Sequence, residues 1–178
     1  KLDNDKSIDQ ILITSSTLSS SKIVKKYKFK KVVHQFFPID NNFFCKKFLN
    51  YWKPTSAFFI DSEIWPNMIK NLHLRGIPII IMNARITERS FNRWKIFSSF
   101  ANQVFSKISL ALPQNLETLK YLKLLKVKNI KTAGNLKYYG QKNIQDHAAE
   151  LLIDKFRKFK VWCAASTHEN EEQFVGRL

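Results

Sequence analysis

Ala57-Phe58-Phe59-Ile60-Asp61-Ser62-Glu63-Ile64-Trp65-Pro66-Asn67 is the stretch on which the fold turns. A short apolar run, of the kind found in strands covered on both faces, passes directly into an acidic, hydroxyl-bearing turn. Pro66 then stands where the first turn of a helix tolerates proline. The same order recurs downstream, where the apolar run Pro78–Met82 ends in Asn83-Ala84-Arg85-Ile86-Thr87-Glu88-Arg89-Ser90. In open α/β sheets, ligands bind at the carboxyl ends of strands. Two such ends offer a carboxylate, an amide and two guanidiniums to one crevice, a set able to hold an anion and handle protons.

Working outward, strand and helix signals alternate. Ile11–Thr14 reads as a strand and Ser19–Lys28 as a short basic helix. Val32–Phe37 reads as a strand, with Pro38 as turn and Asp40 as N-cap. Asn41–Trp52 is amphipathic, placing Phe44, Phe48, Leu49 and Trp52 at helical spacing. Asn67–Leu74 continues the helix begun at Pro66, and Gly76 stops it. A single helix is expected over Phe91–Ser106, then a strand at Ile108–Leu112, a helix at Asn115–Lys126 and a short strand at Ile130–Thr132. The alternation predicts an α/β fold: a Rossmann-like parallel sheet flanked by helices. Near Gly134–Gln141 the hydrophobic period breaks. We therefore expect a first domain over 1–134, and over 135–178 a linker and the start of a second domain, with a helix near Ile144–Phe159 and a strand at Lys160–Ala165 that has no following partners.

The 178 residues carry 44% hydrophobic side chains, enough for a real core, and a formal net charge of +16 from thirty basic and fourteen acidic residues. Such a balance attracts polyanions, namely nucleic acid, anionic lipid or a phosphorylated substrate. It also fits a lysine-rich, glycine-poor coding bias. The longest apolar run is too short to cross a bilayer. The polar start Lys1-Leu2-Asp3-Asn4-Asp5 has no leader pattern, and Cys45 and Cys163 form neither a metal spacing nor a disulfide scaffold, so a cytoplasmic setting is expected.

Several segments, in order, resemble the 3-deoxy-D-manno-octulosonic acid (Kdo) transferases of lipopolysaccharide assembly. Thr14-Ser15-Ser16-Thr17 is similar to that family's Thr-rich turn. Asp61–Asn67 is similar to its Glu-Thr-Glu-(Ile/Leu)-Trp-Pro-Asn segment, and Asn83–Ser90 to Asn-Ala-Arg-Leu-Ser-x-Arg-Ser. Gln114-Asn115 follows the next strand as in the family. Gly134-Asn135-Leu136-Lys137-Tyr138 is similar to its domain junction, and Ala165-Ser166-Thr167-His168-Glu169-Asn170-Glu171-Glu172 to (Thr/Ala)-Ser-Thr-His-Glu-Gly-Glu-Glu. The resemblance implies a glycosyltransferase-B fold whose N-terminal half holds the acceptor and whose C-terminal half holds the nucleotide. It implies transfer of Kdo from CMP-Kdo, with inversion, to a lipid A precursor by a peripheral protein on the cytoplasmic face of the inner membrane. No cofactor and no metal are implied, and no nucleic-acid partner. The family's Ser-Val-Gly-Glu turn, whose glutamate is its proposed general base, has no match before Ile11. Its hydrophobic anchor and the nucleotide-binding part of its second domain have none either. Ser20 stands for a usual glycine and Asp61 for a usual glutamate. The chain alone is expected to be nearly or wholly inactive.

Among the residues present, Glu63 is the best acidic candidate in a supporting catalytic role; it could equally be a capping residue for the helix that follows. Arg85 and Arg89 are candidate anion contacts, because a guanidinium grips a carboxylate or phosphate in two places, and arginine is scarce here, six residues in all. They would share a face if Ile86–Arg89 is helical; a structural ion pair with Glu63 or Glu88 is the alternative. Thr14, Thr17 and Asn83 complete the acceptor-side candidates. Ser166, Thr167, His168 and Glu169 are the donor-side ones, since hydroxyls and free N–H groups at a helix start hold anions; Ser166 with Glu169 also fits a plain capping box. Trp52, Trp65 and Phe97 are expected in the core. Lys22–Lys31, and Phe43, Phe44 and Phe48 beside Lys46 and Lys47, could lie against lipid headgroups or be ordinary solvated and packed surfaces. Two other functions stay open: a basic Rossmann-like module that binds nucleic acid, and a glycosyltransferase-B enzyme using a different sugar nucleotide.

Overall fold

Short runs of Ile, Val and Phe favour strands, and hydroxyl or amide residues just before them or after them favour turns and helix starts. The computed structural model, which describes residues 2–27 and 29–136, follows that grammar closely. Strand β1 (Ile11–Ser15) leads to helix α1 (Leu18–Lys26) and strand β2 (Val32–Phe36). Helix α2 (Asn42–Trp52), strand β3 (Ala57–Ile60), helix α3 (Pro66–Leu74) and strand β4 (Ile79–Ala84) come next. Helices α4 (Glu88–Ile96) and α5 (Ser98–Phe105), strand β5 (Leu110–Pro113) and helix α6 (Leu116–Leu124) complete the order.

All the strand pairs are parallel, as the α/β, Rossmann-like pattern requires, but they form two separate ladders: β1–β2, and β3–β4–β5. Ile130 adds only an isolated bridge to Ala111 in place of the short strand expected there. The core belongs to the second ladder. Ile79 and Ile81 of β4, Met68, Ile69 and Leu72 of α3, Ala101, Val104 and Phe105 of α5, and Leu122 of α6 are all buried, together with Cys45 and Leu49 of α2. Each fully buried Ile or Leu contributes about 1.5–3 kcal/mol of hydrophobic stabilisation.

Helix starts are fixed locally. The side chains of Thr17, Asn41, Thr87 and Asn115 accept the N–H groups of Ser20, Phe43, Ser90 and Thr118. Asn41, not Asp40, therefore caps α2. Asp40 reaches instead to the start of α3, where its two carboxylate oxygens accept the N–H groups of Asn67 (3.1 Å) and Met68 (2.8 Å). Helix α3 has no side-chain cap from its own N-cap residue, Trp65, so a distant carboxylate supplies the missing acceptors. Gly76, at φ 69°, ends α3 in the left-handed conformation glycine takes without strain.

The single helix expected over Phe91–Ser106 is two. Phe97 leaves helical geometry (φ −110°, ψ 55°) and forms the elbow between α4 and α5. Its ring is 68% exposed rather than in the core, because the elbow turns it away from the buried faces of Phe91, Trp94 and Phe105. Trp65 does pack on the core, against Phe37.

Candidate active site

The β3–β5 ladder ends in a laced set of loops. Just past β3, Asp61 adopts a left-handed backbone (φ 59°), and its N–H donates to the carbonyl of Met82 (3.1 Å). The Asp61 carbonyl accepts the N–H of Arg85 (3.1 Å), and Ser62 Oγ donates to the Arg85 carbonyl (3.0 Å). The turns carrying Glu63 and Arg85 are thus stitched to each other by backbone-directed bonds. Gln114, at the end of β5, donates its N–H to the Ala84 carbonyl (3.0 Å).

Asn83 sits at the centre of this lacing. The β4–β5 register shifts between Ile81 and Ala84, and within that irregularity Asn83 takes φ 52° and is only 3% exposed. Asparagine tolerates that conformation better than most residues. Its Nδ2 donates to a carboxylate oxygen of Asp61 and to Oε1 of Gln114 (3.5 Å), while its Oδ1 accepts the N–H of Leu136 (3.1 Å). One buried amide therefore ties together three strand ends and residue 136. Asn83, a candidate substrate contact by sequence, has its polar atoms engaged by the protein and acts here as a staple.

Arg85 stands on a rigid pedestal. Its carbonyl and N–H are fixed as above, and its neighbour Ile86 donates to, and accepts from, the hydroxyl of Thr118 (3.2 and 3.4 Å), a fully buried residue of α6. The guanidinium is exposed, and among the described residues it makes no ion pair and no hydrogen bond. Helix α4 starts only at Glu88, with Thr87 as its cap. Arg85 is therefore on the loop before the helix and does not share a helical face with Arg89. Arg89 lies in the first turn of α4, exposed, and lines a shallow depression of about 450 Å³ with Glu88, Asn92, Arg93 and Ile96.

Glu63 is exposed and does not cap α3; its Oε2 accepts the indole N–H of Trp65 at 2.6 Å. That bond orients the carboxylate without neutralising it. Thr17 is committed to capping α1, with Oγ1 also 2.8 Å from Ser20 Oγ. Thr14 lies within β1 opposite Gln35. The structure thus brings Glu63, Asn83 and Arg85 to one set of loops, and puts Thr14 in the other ladder and Thr17 at the helix start that follows it. Ser166, Thr167, His168 and Glu169 lie outside the described residues. Sequence reasoning passed over Thr118, whose partner is 32 residues away, gave Asp40 to the start of α2 rather than to that of α3, 27 residues on, and did not single out Asp61 for the amide bond it makes. Among the described residues no three His, Cys, Asp or Glu side chains converge on a point that could hold a metal, and no helix is long and apolar enough to cross a membrane.

This arrangement gathers an exposed guanidinium on a braced loop, without an ion pair among the described residues, an oriented carboxylate and a buried amide brace at the carboxyl ends of parallel strands, which suits a ligand carrying carboxylate or phosphate. Residues 1–139 match the family described as 3-Deoxy-D-manno-octulosonic-acid transferase (kdotransferase). The 3-deoxy-D-manno-octulosonic acid transferase of Rickettsia bellii is 33% identical over 167 residues, covering 93% of this chain and 40% of its own length. The Haemophilus influenzae protein of the same name is 34% identical over 174 residues, with the same two shares. A probable 3-deoxy-D-manno-octulosonic acid transferase, mitochondrial, of Arabidopsis thaliana is 32% identical over 175 residues, covering 93% of this chain and 39% of its own length. The chain spans about two fifths of the length of these relatives.

Proposed function

Because the chain belongs to the 3-deoxy-D-manno-octulosonic-acid transferase family, we propose that it forms the acceptor side of an enzyme that moves Kdo from CMP-Kdo to a lipid A precursor. Residues 1–134 hold the acceptor and residues 135–178 lead into the nucleotide-binding part. The exposed Arg85 guanidinium, with no partner among the described residues and carried on a braced loop, is the observation that supports this reading.

Transfer of a ketose from a nucleotide asks for a proton acceptor at the acceptor hydroxyl and positive charge near the departing phosphate and the sugar carboxylate. Arg85 supplies fixed positive charge to an anionic group of the bound pair. Because its backbone is bonded on both sides, only its side chain is left to be ordered when the ligand arrives. Arg89 offers a second cation from the head of α4. Asn83 works through Asp61 and Gln114 as a positioning residue. Glu63, oriented by Trp65, is assigned a supporting role; the resemblance puts the proton-accepting glutamate on the Ser-Val-Gly-Glu turn, which has no match in this chain. Ser166, Thr167, His168 and Glu169 are assigned to the donor side. The protein works peripherally, on the cytoplasmic face of the inner membrane, where lipid A precursor, CMP-Kdo and anionic lipid are its partners; no cofactor is assigned. We assign little or no turnover to residues 1–178 by themselves.

The test is CMP release by the full-length protein given CMP-Kdo and a lipid A precursor. Arg85→Ala and Glu63→Ala should each lower turnover roughly tenfold or more, the cost of removing one charge-bearing contact from a transition state. Unchanged rates for both would take these loops out of the site. Turnover with another sugar nucleotide, and none with CMP-Kdo, would replace the donor.

A further inference from the structure

A depression of about 350 Å³ is lined by Leu49, Asn50, Lys53, Pro54, Arg75 and Ile77. Lys53 and Pro54 lead into β3, and Arg75 and Ile77 into β4, so it lies at the amino ends of these strands. The loops of Glu63 and Arg85 leave the carboxyl ends, about 13 Å away along the four residues of β3. The floor of the depression is apolar: Leu49 is buried, and Pro54 and Ile77 are half-buried. Its lining holds two cations and no acid.

Amides hold the Arg75 guanidinium. Its Nη2 donates to Asn50 Oδ1 (2.8 Å), and its Nη1 to the carbonyl and Oδ1 of Asn71 (3.1 and 3.4 Å). Asn71 is fully buried and in turn donates to Asn42 Oδ1 (2.9 Å) and the Asn67 carbonyl (2.8 Å). A guanidinium has five N–H groups; these bonds engage three at most, so at least two are left over among the described residues. An acid in place of either amide would anchor the arginine and cancel its charge. Amides anchor it and leave the charge whole. Lys53 is exposed, and its ammonium has no partner among the described residues.

Both cations stand at helix C-termini, where they offset the negative end of the dipole. That accounts for their charge, but not for the apolar floor beside them or the buried amide behind Arg75. The left-handed backbone of Lys53 (φ 43°) is not the signal either, since Lys126 (φ 67°) shares it and does not line the depression. Two uncancelled cations favour a doubly charged oxyanion over a carboxylate, and a planar guanidinium can take two oxygens of one phosphate. The floor asks for an apolar body beside that charge, and about 350 Å³ suits a small molecule.

We propose that this depression is a second ligand site, one that takes a small, soluble phosphate monoester carrying an apolar group. It is separate from the loops of Glu63 and Arg85 and stands whether or not the transfer reaction does.

The experiment uses the full-length protein with a trifluoromethyl tag on Thr55→Cys, an exposed position next to Pro54. Its fluorine signal is followed as phenyl phosphate is added at about pH 8, where a phosphate monoester is a dianion. We expect a saturable shift that weakens with salt. Inorganic phosphate, which lacks the ring, and benzoate, which carries one charge, should each bind roughly tenfold or more weakly. Lys53→Gly should weaken phenyl phosphate binding roughly fivefold or more. Glycine takes the left-handed backbone freely, so the thermal melt of that variant should lie at or above the wild type's. Arg75→Gln should weaken binding at least as much. Lys126→Gly, the same loss of charge from the same kind of backbone, should leave it unchanged. No saturable shift, full affinity in Lys53→Gly, or an equal loss in Lys126→Gly would each overturn the proposal. So would benzoate or inorganic phosphate binding as tightly as phenyl phosphate. Displacement of phenyl phosphate by vesicles holding phosphatidic acid would assign the site to a lipid headgroup and overturn it too.

Discussion

Ile11–Ser15 and Ile79–Ala84 are both short, isoleucine-bearing parallel strands, yet every residue of β1 is half-buried while four of the six in β4 are buried. Among the described residues, all the buried apolar side chains fall between Cys45 and Val127, and β1, α1 and β2 contribute none. Strand propensity is the same in the two regions; the layers covering the strands are not. Helices α3, α5 and α6 close over the β3–β5 ladder. In the β1–β2 ladder, hydrogen bonds and half-covered side chains hold the pair. The candidate site rests on the first kind of support. Its loops are continuations of packed strands, braced by Asn83 and Thr118, and so can hold Arg85 in a fixed place.

The largest test of that contrast is a pair of truncations. Ile81→Ala empties a fully buried position of β4 and should cost about 2–5 kcal/mol of stability; Leu12→Ala, at a half-buried position of β1, should cost about 1 kcal/mol or less. Urea unfolding of both variants measures the difference. Equal losses would mean that the two ladders share one packed interior in solution. A smaller version of the comparison uses helix caps. Asp40 caps α3 from another element with two bonds and should cost about 2 kcal/mol when changed to alanine, the upper end of the range for caps. Thr17 caps α1 locally and should cost about 1 kcal/mol or less when so changed. If Thr17→Ala proves the costlier, the β1–β2 region is held more firmly than its burial indicates.

Much of the packed region was legible from residue pattern alone. Ala57–Ile60 reads correctly, and the run Pro78–Met82 marks β4 though that strand continues to Ala84, because short apolar runs closed by polar turns have few other solutions; Pro66 and Gly76 mark the ends of α3 by the backbone angles they impose. The elbow at Phe97 was not legible, since Phe91, Trp94, Ala101, Val104 and Phe105 keep an apolar stripe running through it. Nor was the role of Asp40: the sequence around it offers a nearby helix to cap, and only the packing of α2 against α3 shows that its oxygens reach the other one. At the site, residue types were readable and their employment was not. Arg85 and Glu63 stand where strand-end reasoning puts them, but that Asn83 is spent on Asp61, Gln114 and Leu136, and Glu63 on Trp65, depends on side-chain directions that one sequence does not carry. The gap between the two ladders is equally invisible in the chain order, which alternates strand and helix without a break.

The finest probe of the contrast is a thiol. Cys45 is fully buried on the inner face of α2, and its sulfur lies 3.6 Å from Asp40 Oδ1. Burial first, and then the Asp40 carboxylate, push the thiol up to about 11 from its ordinary 9.0. Alkylation needs the thiolate, so at mildly alkaline pH Cys45 should react only when the packed region opens. A thiol introduced by Leu12→Cys should react roughly tenfold faster or more, and peptide mapping of the labelled protein separates the two positions. The same shift sets a pH dependence. The folded state favours the neutral thiol, so its contribution is whole below pH 9.0 and is lost as pH rises toward about 11. Wild type should therefore lose stability relative to Cys45→Ala across that interval and keep a constant difference from it below. Labelling of Cys45 as fast as that of the introduced thiol, or a difference from Cys45→Ala that stays flat through the interval, would place α2 on the loosely held side of the molecule and remove the firm footing from the loops beside it.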